Sequence, residues 1–286
     1  MAVISVEQLS HTYSIGTPFE KQAIHGVSLE IRQGECIFLL GHTGSGKSTF
    51  VQHLNALLQP TAGQVLLDGA DINRDKFSRR DVKRRVGLVF QYPEYQLFEE
   101  TVFADIAFGP KNMKLSEPEI EARVKAAAGF VGVGEELFER SPLELSGGQK
   151  RRIAIAGVMA MQPELLILDE PTAGLDPAGS RQIMENIRKY RENTGATILI
   201  VSHSMDDAAV YGERLIVFDR GAIRMDGTPE EVFSRPEELN GIGLDIPKAA
   251  ELASVLREKG LPLEGPVFTH EQLLAAVMKL RGRPKC

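Results

Sequence analysis

Cysteine is scarce in this sequence: Cys36 and Cys286 are the only two among 286 residues. Two isolated cysteines offer neither a disulfide framework nor the spacing of a zinc site, and they fit a reducing compartment best. The sequence also lacks an apolar run approaching the roughly 18 residues that span a bilayer, and its first residues lack the charged and apolar regions of a signal peptide. If the protein acts at a membrane, we expect another chain to cross it.

An excess of basic residues is also missing. The 33 Lys and Arg are outnumbered by 39 Asp and Glu, which gives a formal net charge of -6. Because proteins bind nucleic acid over a broad surface by neutralising phosphates with cations, this balance disfavours nucleic acid as a partner. The 43% of hydrophobic residues, over this length, indicates one large core and a small appended part.

What the sequence does contain is a phosphate-binding loop. The segment Gly41-His42-Thr43-Gly44-Ser45-Gly46-Lys47-Ser48-Thr49 fits the pattern G-x-x-x-x-G-K-[ST] and follows an apolar strand pattern at residues 36–40. The glycines let backbone N–H groups surround a phosphate chain, while Lys47 neutralises phosphate oxygens and the Ser48 hydroxyl ligates Mg²⁺. The apolar spacing after the loop predicts a helix that runs to about Leu58, just before Pro60.

Further polar side chains stand where apolar strand patterns end. Gln91 follows residues 86–90, Asp169 and Glu170 follow residues 165–168, and His203 stands at the end of residues 196–203. Ligands of open α/β sheets bind at the carboxyl ends of strands, so we expect these groups to converge. The Gln91 amide can coordinate Mg²⁺ without adding charge. Side chains alternate along a strand, so the two carboxylates should diverge: Asp169 toward the metal, and Glu170 toward a water as general base.

Two further features bear on the ligand. Tyr13 ends a β-rich stretch, where its ring either stacks on an adenine base or is an ordinary strand tyrosine, two equally good interpretations. The turn Ser146-Gly147-Gly148-Gln149 opens a helix, so its N–H groups and the Ser146 hydroxyl form a second anion site. A chain with one lysine loop and two anion-binding turns is expected to offer the second turn to another molecule's phosphate.

Together these motifs resemble the nucleotide-binding subunits of ABC transporters over roughly residues 3–227. The matching positions are Gly41 to Thr49 (phosphate loop), Gln91 (Q-loop), Leu145 to Gln149 (LSGGQ signature), Asp169-Glu170 (Walker B), Asp176 (D-loop) and His203 (switch histidine). The resemblance implies an α/β P-loop NTPase core with a parallel sheet and an N-terminal antiparallel β layer. It also implies a helical subdomain inserted at about residues 92–160.

The same resemblance implies the ligands and their arrangement. ATP with Mg²⁺ is the expected nucleotide, with Tyr13 at the place of the adenine-stacking aromatic residue and with Ser48, Gln91 and Asp169 around the metal. Two ATP molecules would lie between two head-to-tail subunits, so that Ser146, Gly147 and Gly148 contact the γ-phosphate held by the partner's phosphate loop. Glu170 would activate the water, His203 would hold the γ-phosphate, and Lys47 would take up developing charge.

A narrower resemblance is to the energy-coupling factor ATPases. It rests on the Q-loop sequence at residues 90–98, on His42-Thr43, and on the insertion Thr17-Pro18-Phe19-Glu20, which is similar to the second of two paralogous ATPases in that group. It implies a peripheral protein at the cytoplasmic face of the cell membrane, paired with itself or a paralogue. A transmembrane coupling protein, facing residues 91–98, and a membrane substrate-binding component for a vitamin or transition-metal ion would complete the transporter. The alternatives are an ATPase of another ABC transporter type, or a soluble ABC ATPase acting on DNA or ribosomes.

Residues 228–286 are predicted to form a small helical extension beyond the ATPase domain of residues 1–227. Residues 228–231 and 269–272 fit helix-capping boxes, and a helix over about residues 247–259 should end at Gly260. In the resembled family this region helps to pair the two ATPases, whereas packing against its own domain is an equally open alternative. The basic residues between positions 79 and 85 are interpreted as a solvated helix face with no assigned role.

Overall fold

Two β-sheets form the framework of the protein in its computed structural model, which describes residues 2–74 and 79–281. Cys286 lies outside the described residues. The strands are β1 (Ala2–Tyr13), β2 (Lys21–Arg32), β3 (Cys36–Leu40), β4 (Ala62–Leu67), β5 (Ala70–Asp71), β6 (Val86–Val89), β7 (Leu165–Asp169), β8 (Thr197–Val201), β9 (Arg214–Asp219) and β10 (Ala222–Gly227).

The central sheet has the strand order β10-β9-β3-β8-β7-β6 and is parallel except for the β9–β10 hairpin. The other sheet, β2-β1-β4-β5, is antiparallel. Side chains of β3 alternate between two cores: Ile37 and Leu39 pack with the antiparallel sheet, whereas Phe38 and Leu40 pack with the helices on the other face. The parallel sheet and the antiparallel β layer predicted for this fold class are therefore confirmed.

The helices that surround these sheets are α1 (Lys47–Leu54), α2 (Arg79–Arg85), α3 (Val102–Asn112), α4 (Glu117–Val131), α5 (Gly147–Met159), α6 (Pro177–Thr194) and α7 (Met205–Tyr211). Between β6 and β7, helices α3, α4 and α5 pack against one another as the predicted helical insertion. Capping residues define both ends of α4: a capping box of Ser116 and Glu119 begins the helix, and left-handed Gly132, at φ 68°, ends it.

The helix after the phosphate loop is shorter than predicted. It ends at Leu54 rather than near Leu58, because Ala56 adopts a left-handed conformation at φ 55°. The neighbouring Asn55 is buried and donates its side-chain N–H to the carbonyl of Val86, at the start of β6. This tertiary hydrogen bond overrides an apolar spacing that continues through Leu57.

The C-terminal helices are α8 (Pro229–Phe233), α9 (Pro236–Gly241), α10 (Lys248–Glu258) and α11 (His270–Arg281). Both predicted capping boxes are present, and Gly260 is left-handed at φ 87°. Helix α9 was not predicted. The side chains of Phe233 and Leu239 join the main core, whereas α10 and α11 surround a separate small apolar cluster. The domain division at residue 227 stays a prediction.

Candidate active site

A cleft of about 660 Å³ opens at the carboxyl ends of the central strands. The antiparallel sheet contributes one wall, the phosphate loop forms the base, and the residues after β6, β7 and β8 form the opposite wall. The lining residues are Tyr13, Lys21, Gln22, Ala23, His25, His42, Thr43, Gly44, Gly46, Lys47, Ser48, Thr49, Gln91, Glu170, His203, Arg220 and Gly221. Most of the groups that the sequence predicted to converge therefore share one cleft.

The phosphate loop is held in a shape that only glycine permits at two positions. Gly41 has φ 150°, and a Cβ there would lie 2.4 Å from the carbonyl oxygen of Phe218. Gly46 has φ 107°, and a Cβ there would lie 2.7 Å from the carbonyl oxygen of Ala23. At Gly44, by contrast, an added Cβ meets nothing within 4 Å, so this part of the loop is open to a ligand.

Lys47 is the cation of the loop. Its Nζ donates hydrogen bonds to the carbonyl oxygens of Gly41, at 2.5 Å, and His42, at 3.0 Å. Burial lowers the pKa of Lys47, although Glu170 and Asp169 pull it upward. The Ser45 Oγ beneath the loop is buried and has no hydrogen-bond partner among residues 2–74 and 79–281. Open N–H groups, a buried cation and an unpaired hydroxyl fit a phosphate chain.

Oxygen groups suited to Mg²⁺ stand beside the loop. Asp169, at the end of β7, is buried, and burial raises its pKa, while a hydrogen bond from Ser48 works in the opposite direction. Hydroxyl, carboxylate and amide oxygens are ligands that Mg²⁺ accepts, so Ser48, Asp169 and Gln91 fit this ion. No group of three or more His, Cys, Asp or Glu in the described part of the chain could hold a metal alone. Phosphate oxygens are also ligands that Mg²⁺ accepts.

Glu170 lies between Gln91 and His203. Gln91 Nε2 donates to Glu170 Oε2 at 3.1 Å, and His203 Nε2 is 2.6 Å from Glu170 Oε1. The two adjacent carboxylates have different partners, since Asp169 bonds with Ser48, and strand alternation does not place Glu170. Glu170 has already left β7 and is left-handed at φ 50°, with its N–H donated to Val201 O at 2.9 Å. A strained turn, rather than the pleat of a strand, aims this carboxylate.

Tyr13 also lines the cleft and is 39% exposed. Its hydroxyl is 3.1 Å from Thr49 Oγ1, and its ring meets the edge of His11 at a centroid distance of 4.5 Å. His11 in turn contacts the fully buried His53, whose Nδ1 is 2.7 Å from Thr49 O. Neither His11 nor His53 could be assigned to this site from the sequence, because each is an isolated histidine until the strands and α1 pack together.

The predicted second anion site does not line this cleft. Ser146 caps α5 in a capping box with Gln149 and is exposed, and added Cβ atoms at Gly147 and Gly148 meet nothing within 4 Å. Asp176 caps α6 by accepting the N–H of Gly179 at 2.9 Å. The turn over residues 146–149 is thus free to approach a ligand, but not the ligand of its own phosphate loop.

A second cavity, of about 700 Å³, is here called the groove. Its mostly apolar floor comes from α3, α5 and residues 96–98, and its apolar lining includes Leu97, Phe98, Phe108, Met113, Ile153, Val158 and Met161. Asp105 shapes one wall by accepting the N–H groups of Phe98 and Glu99. Arg79, Arg80, Lys83 and Arg84 also line the groove, so this face of α2 is not simply solvated.

Arg85, the fifth of those basic residues, bridges Asp68 and Glu164 instead. Arg85 could not be distinguished from its four neighbours in the sequence, because all five belong to one basic stretch.

Among the described residues, no helix has both the length and the apolar character of a membrane span.

A phosphate loop, a strand-end Glu–His pair and a helical insertion on a mainly parallel sheet define an ATP-binding cassette. The ABC transporter family matches residues 24–173. The chain belongs to this family and, within it, to the energy-coupling factor transporter ATP-binding proteins. The proteins called Energy-coupling factor transporter ATP-binding protein EcfA2 from Clostridioides difficile and Symbiobacterium thermophilum are 51% and 52% identical to it. The alignments cover 99% of both chains in the first case, and 96% of this chain and 95% of the relative in the second.

Solved structures agree with this assignment. The structure of cbiO1 from Clostridium perfringens, described as part of the ABC transporter complex cbiONQ, is 38% identical with a TM-score of 0.75, covering 90% of this chain and 99% of that one. A dimeric post-hydrolysis state of the ATP-binding cassette MJ0796, bound to ADP and Pi, is 28% identical with a TM-score of 0.69, covering 79% and 98%. The predicted family and fold class are confirmed, and the chain is an ATPase subunit of an energy-coupling factor transporter.

Proposed function

We propose that this chain binds ATP with Mg²⁺ in the cleft and hydrolyses it to power uptake of a vitamin or a transition-metal ion through partner membrane proteins. The observation that carries the proposal is the Glu170 carboxylate, held between Gln91 and His203 in the same cleft as Lys47. A carboxylate near a phosphate loop can accept the proton of an attacking water. The cleft therefore has both the cation for a phosphate and the base for its hydrolysis.

Each predicted residue has a role in this proposal. The N–H groups of residues 41–49 and the Lys47 ammonium hold the phosphates, and Tyr13 stacks on the adenine. Ser48, Gln91 and Asp169 hold Mg²⁺, which when bound neutralises phosphate oxygens. Glu170 takes the proton of the water, and His203 donates a hydrogen bond to the γ-phosphate as charge develops there.

The exposed turn over residues 146–149 supports a head-to-tail pairing with a second ABC ATPase, either a copy of this chain or a paralogue. Ser146, Gly147, Gly148 and Gln149, together with Asp176, would complete the site on the partner's phosphate loop. ATP would stabilise the closed pair because it contacts both subunits only in that state. The C-terminal helices α10 and α11, which leave Leu252 and Leu274 exposed, are proposed to assist this pairing.

The groove is the feature that supports the proposal of a transmembrane partner. It lies beside the Q-loop and combines an apolar floor with a basic rim, a surface suited to an amphipathic helix. We assign it to cytoplasmic helices of the coupling protein, which in turn would act on a membrane substrate-binding component. This arrangement would place the chain at the cytoplasmic face of the membrane, as a peripheral subunit.

Replacing Glu170 by Gln tests the chemistry. In the assembled transporter, Glu170→Gln should retain ATP and stay closed while turnover falls by at least about 100-fold, because the base is lost and the cleft keeps its shape. The matched control is Glu164→Gln, the same change at an exposed carboxylate bound to Arg85. Near-normal hydrolysis by Glu170→Gln would show that another group is the base.

A further inference from the structure

The Arg151 side chain joins three segments that lie far apart in the sequence. It is 5% exposed, on the second turn of α5. Its Nε and Nη2 donate to the two carboxylate oxygens of Glu94, at 3.2 and 3.0 Å, and its Nη1 donates to the carbonyl of Ala173. The guanidinium carbon also lies 6.0 Å from the ring centroid of Tyr92. A planar guanidinium is suited to such a site because its donors have fixed directions.

One end of this connection is next to the groove. Glu94 belongs to a short 3-10 turn, Pro93–Gln96, between Gln91 and the groove residues Leu97 and Phe98. Burial alone would raise the pKa of Glu94, but the hydrogen bonds from Arg151, a backbone hydrogen bond and the charge of Arg151 together lower that pKa. These contacts favour the ionised carboxylate, which accepts both hydrogen bonds from Arg151.

The other end reaches the turn that carries the proposed base. The Ala173 N–H donates to the carbonyl of Glu170 at 3.1 Å, and the Leu175 N–H donates to Thr172 O at 3.2 Å. This turn includes the left-handed backbone of Glu170 and leads directly to Asp176. A strained conformation of this kind persists only where the surrounding structure holds it.

We propose that Arg151 is a positioning residue that ties the Glu94 turn, beside the groove, to the turn of Glu170, so that the placement of the catalytic carboxylate depends on the groove wall. The inference rests on the proposed function, because it assigns the chemistry to Glu170. Arg151 touches neither reacting atoms nor nucleotide in this arrangement. A lysine at this position keeps the charge but has one nitrogen, which does not reach Glu94 and Ala173 in the same geometry.

The chain contains a matched pair for comparison. Arg191 donates through Nη1 and Nη2 to the two oxygens of Glu213, at 2.8 and 2.7 Å, and through Nε to Gly34 O at 2.9 Å. It makes the same kind of contacts as Arg151, a paired carboxylate and a backbone carbonyl. Neither Arg191 nor Glu213 is among the described residues that line the cleft or the groove. A purely structural arginine should behave like Arg191.

The experiment compares Arg151→Lys, Glu94→Gln, the double variant and Arg191→Lys in the full-length chain, reconstituted with its membrane partners in lipid. The kcat and KM for ATP and the thermal midpoint are measured for each complex. We expect Arg151→Lys and Glu94→Gln to lower kcat on the order of tenfold, with KM for ATP changed by less than about twofold. The double variant should be no slower than the slower single variant, because the two side chains act as one unit. Arg191→Lys should lower the thermal midpoint but leave kcat unchanged.

An unchanged kcat in both Arg151→Lys and Glu94→Gln, or losses that multiply in the double variant, would overturn the inference. If Arg151→Lys does not fold, Glu94→Gln decides alone, since the amide keeps the shape of the carboxylate. These outcomes are separate from a failure of the proposed function, which would appear as an inactive wild-type complex or as normal turnover in Glu170→Gln.

Discussion

The cleft and the groove have similar volumes, about 660 and 700 Å³, but different kinds of residues line them. The cleft is formed by glycines, backbone N–H groups and charged side chains at strand ends, whereas the groove has an apolar floor between helices and arginines at one wall. The segment from Gln91 to Phe98 contributes to both, since Gln91 lines the cleft and residues 96–98 line the groove. The polar cleft is suited to phosphates and the apolar groove to a protein surface, so the two cavities are suited to different kinds of ligand.

The largest expected difference comes from charging the floor of the groove. Phe98 is 65% exposed and packs edge-on against Phe108 at a centroid distance of 4.9 Å. Phe98→Glu should weaken binding to the coupling protein by about 30-fold, because an aromatic anchor is lost and a charge is desolvated. ATP affinity in the cleft should not change. Co-purification with the membrane partners and a nucleotide-binding titration measure the two effects.

The control for this change is Phe19→Glu, in the loop between β1 and β2, because Phe19 is 83% exposed and is not among the residues that line either cavity. If Phe98→Glu assembles as well as Phe19→Glu does, the groove is not the docking surface, and the two cavities do not differ in the way proposed.

A smaller effect is expected at Tyr13, the residue proposed to stack on the adenine. Tyr13→Ala should weaken ATP binding by about tenfold, since stacking of a base on an aromatic ring contributes about 1–3 kcal/mol. Tyr13→Phe should bind almost normally, because it retains the ring and loses only the contact with Thr49. Inorganic tripolyphosphate, which has no base, should bind all three proteins equally in calorimetric titrations. Equal weakening for tripolyphosphate would mean that Tyr13 shapes the phosphate loop instead.

The smallest effect concerns Asp105, the buried acid of the groove wall. Burial raises its pKa, although hydrogen bonds from the N–H groups of Phe98 and Glu99 oppose the shift. Its folded-state pKa is above that of the unfolded chain, so the folded state binds more protons between the two values. The stability that protonated Asp105 contributes is therefore present at low pH and lost as pH rises through the folded pKa.

The free energy of unfolding of the wild type minus that of Asp105→Asn should accordingly increase as pH falls from neutral toward the ordinary range of aspartate. Urea titrations over this range measure the difference, and a difference that stays constant with pH would contradict the assigned direction. The affinity for nucleotide should not change with the protonation of Asp105, because Asp105 lines the groove and not the cleft.

Much of the cleft was predictable because its parts are local in the sequence. The loop from Gly41 to Thr49 and the strand ends at Gln91, Glu170 and His203 each carry their own pattern, and parallel strands bring those ends to one edge. The groove was not predictable in this way. Its apolar residues come from three separate segments, and in the sequence Phe108 or Val158 is indistinguishable from an ordinary core residue.

The family, the fold class and the ATPase class could be inferred from the sequence alone, because phosphate-binding motifs are short runs of residues with a fixed spacing. The end of α1, the direction of the Glu170 carboxylate and the partner of Arg151 depend on tertiary contacts instead. Asn55 meets Val86, and Arg151 meets Glu94 and Ala173, across long stretches of chain. Such contacts depend on packed surfaces, which no local pattern encodes.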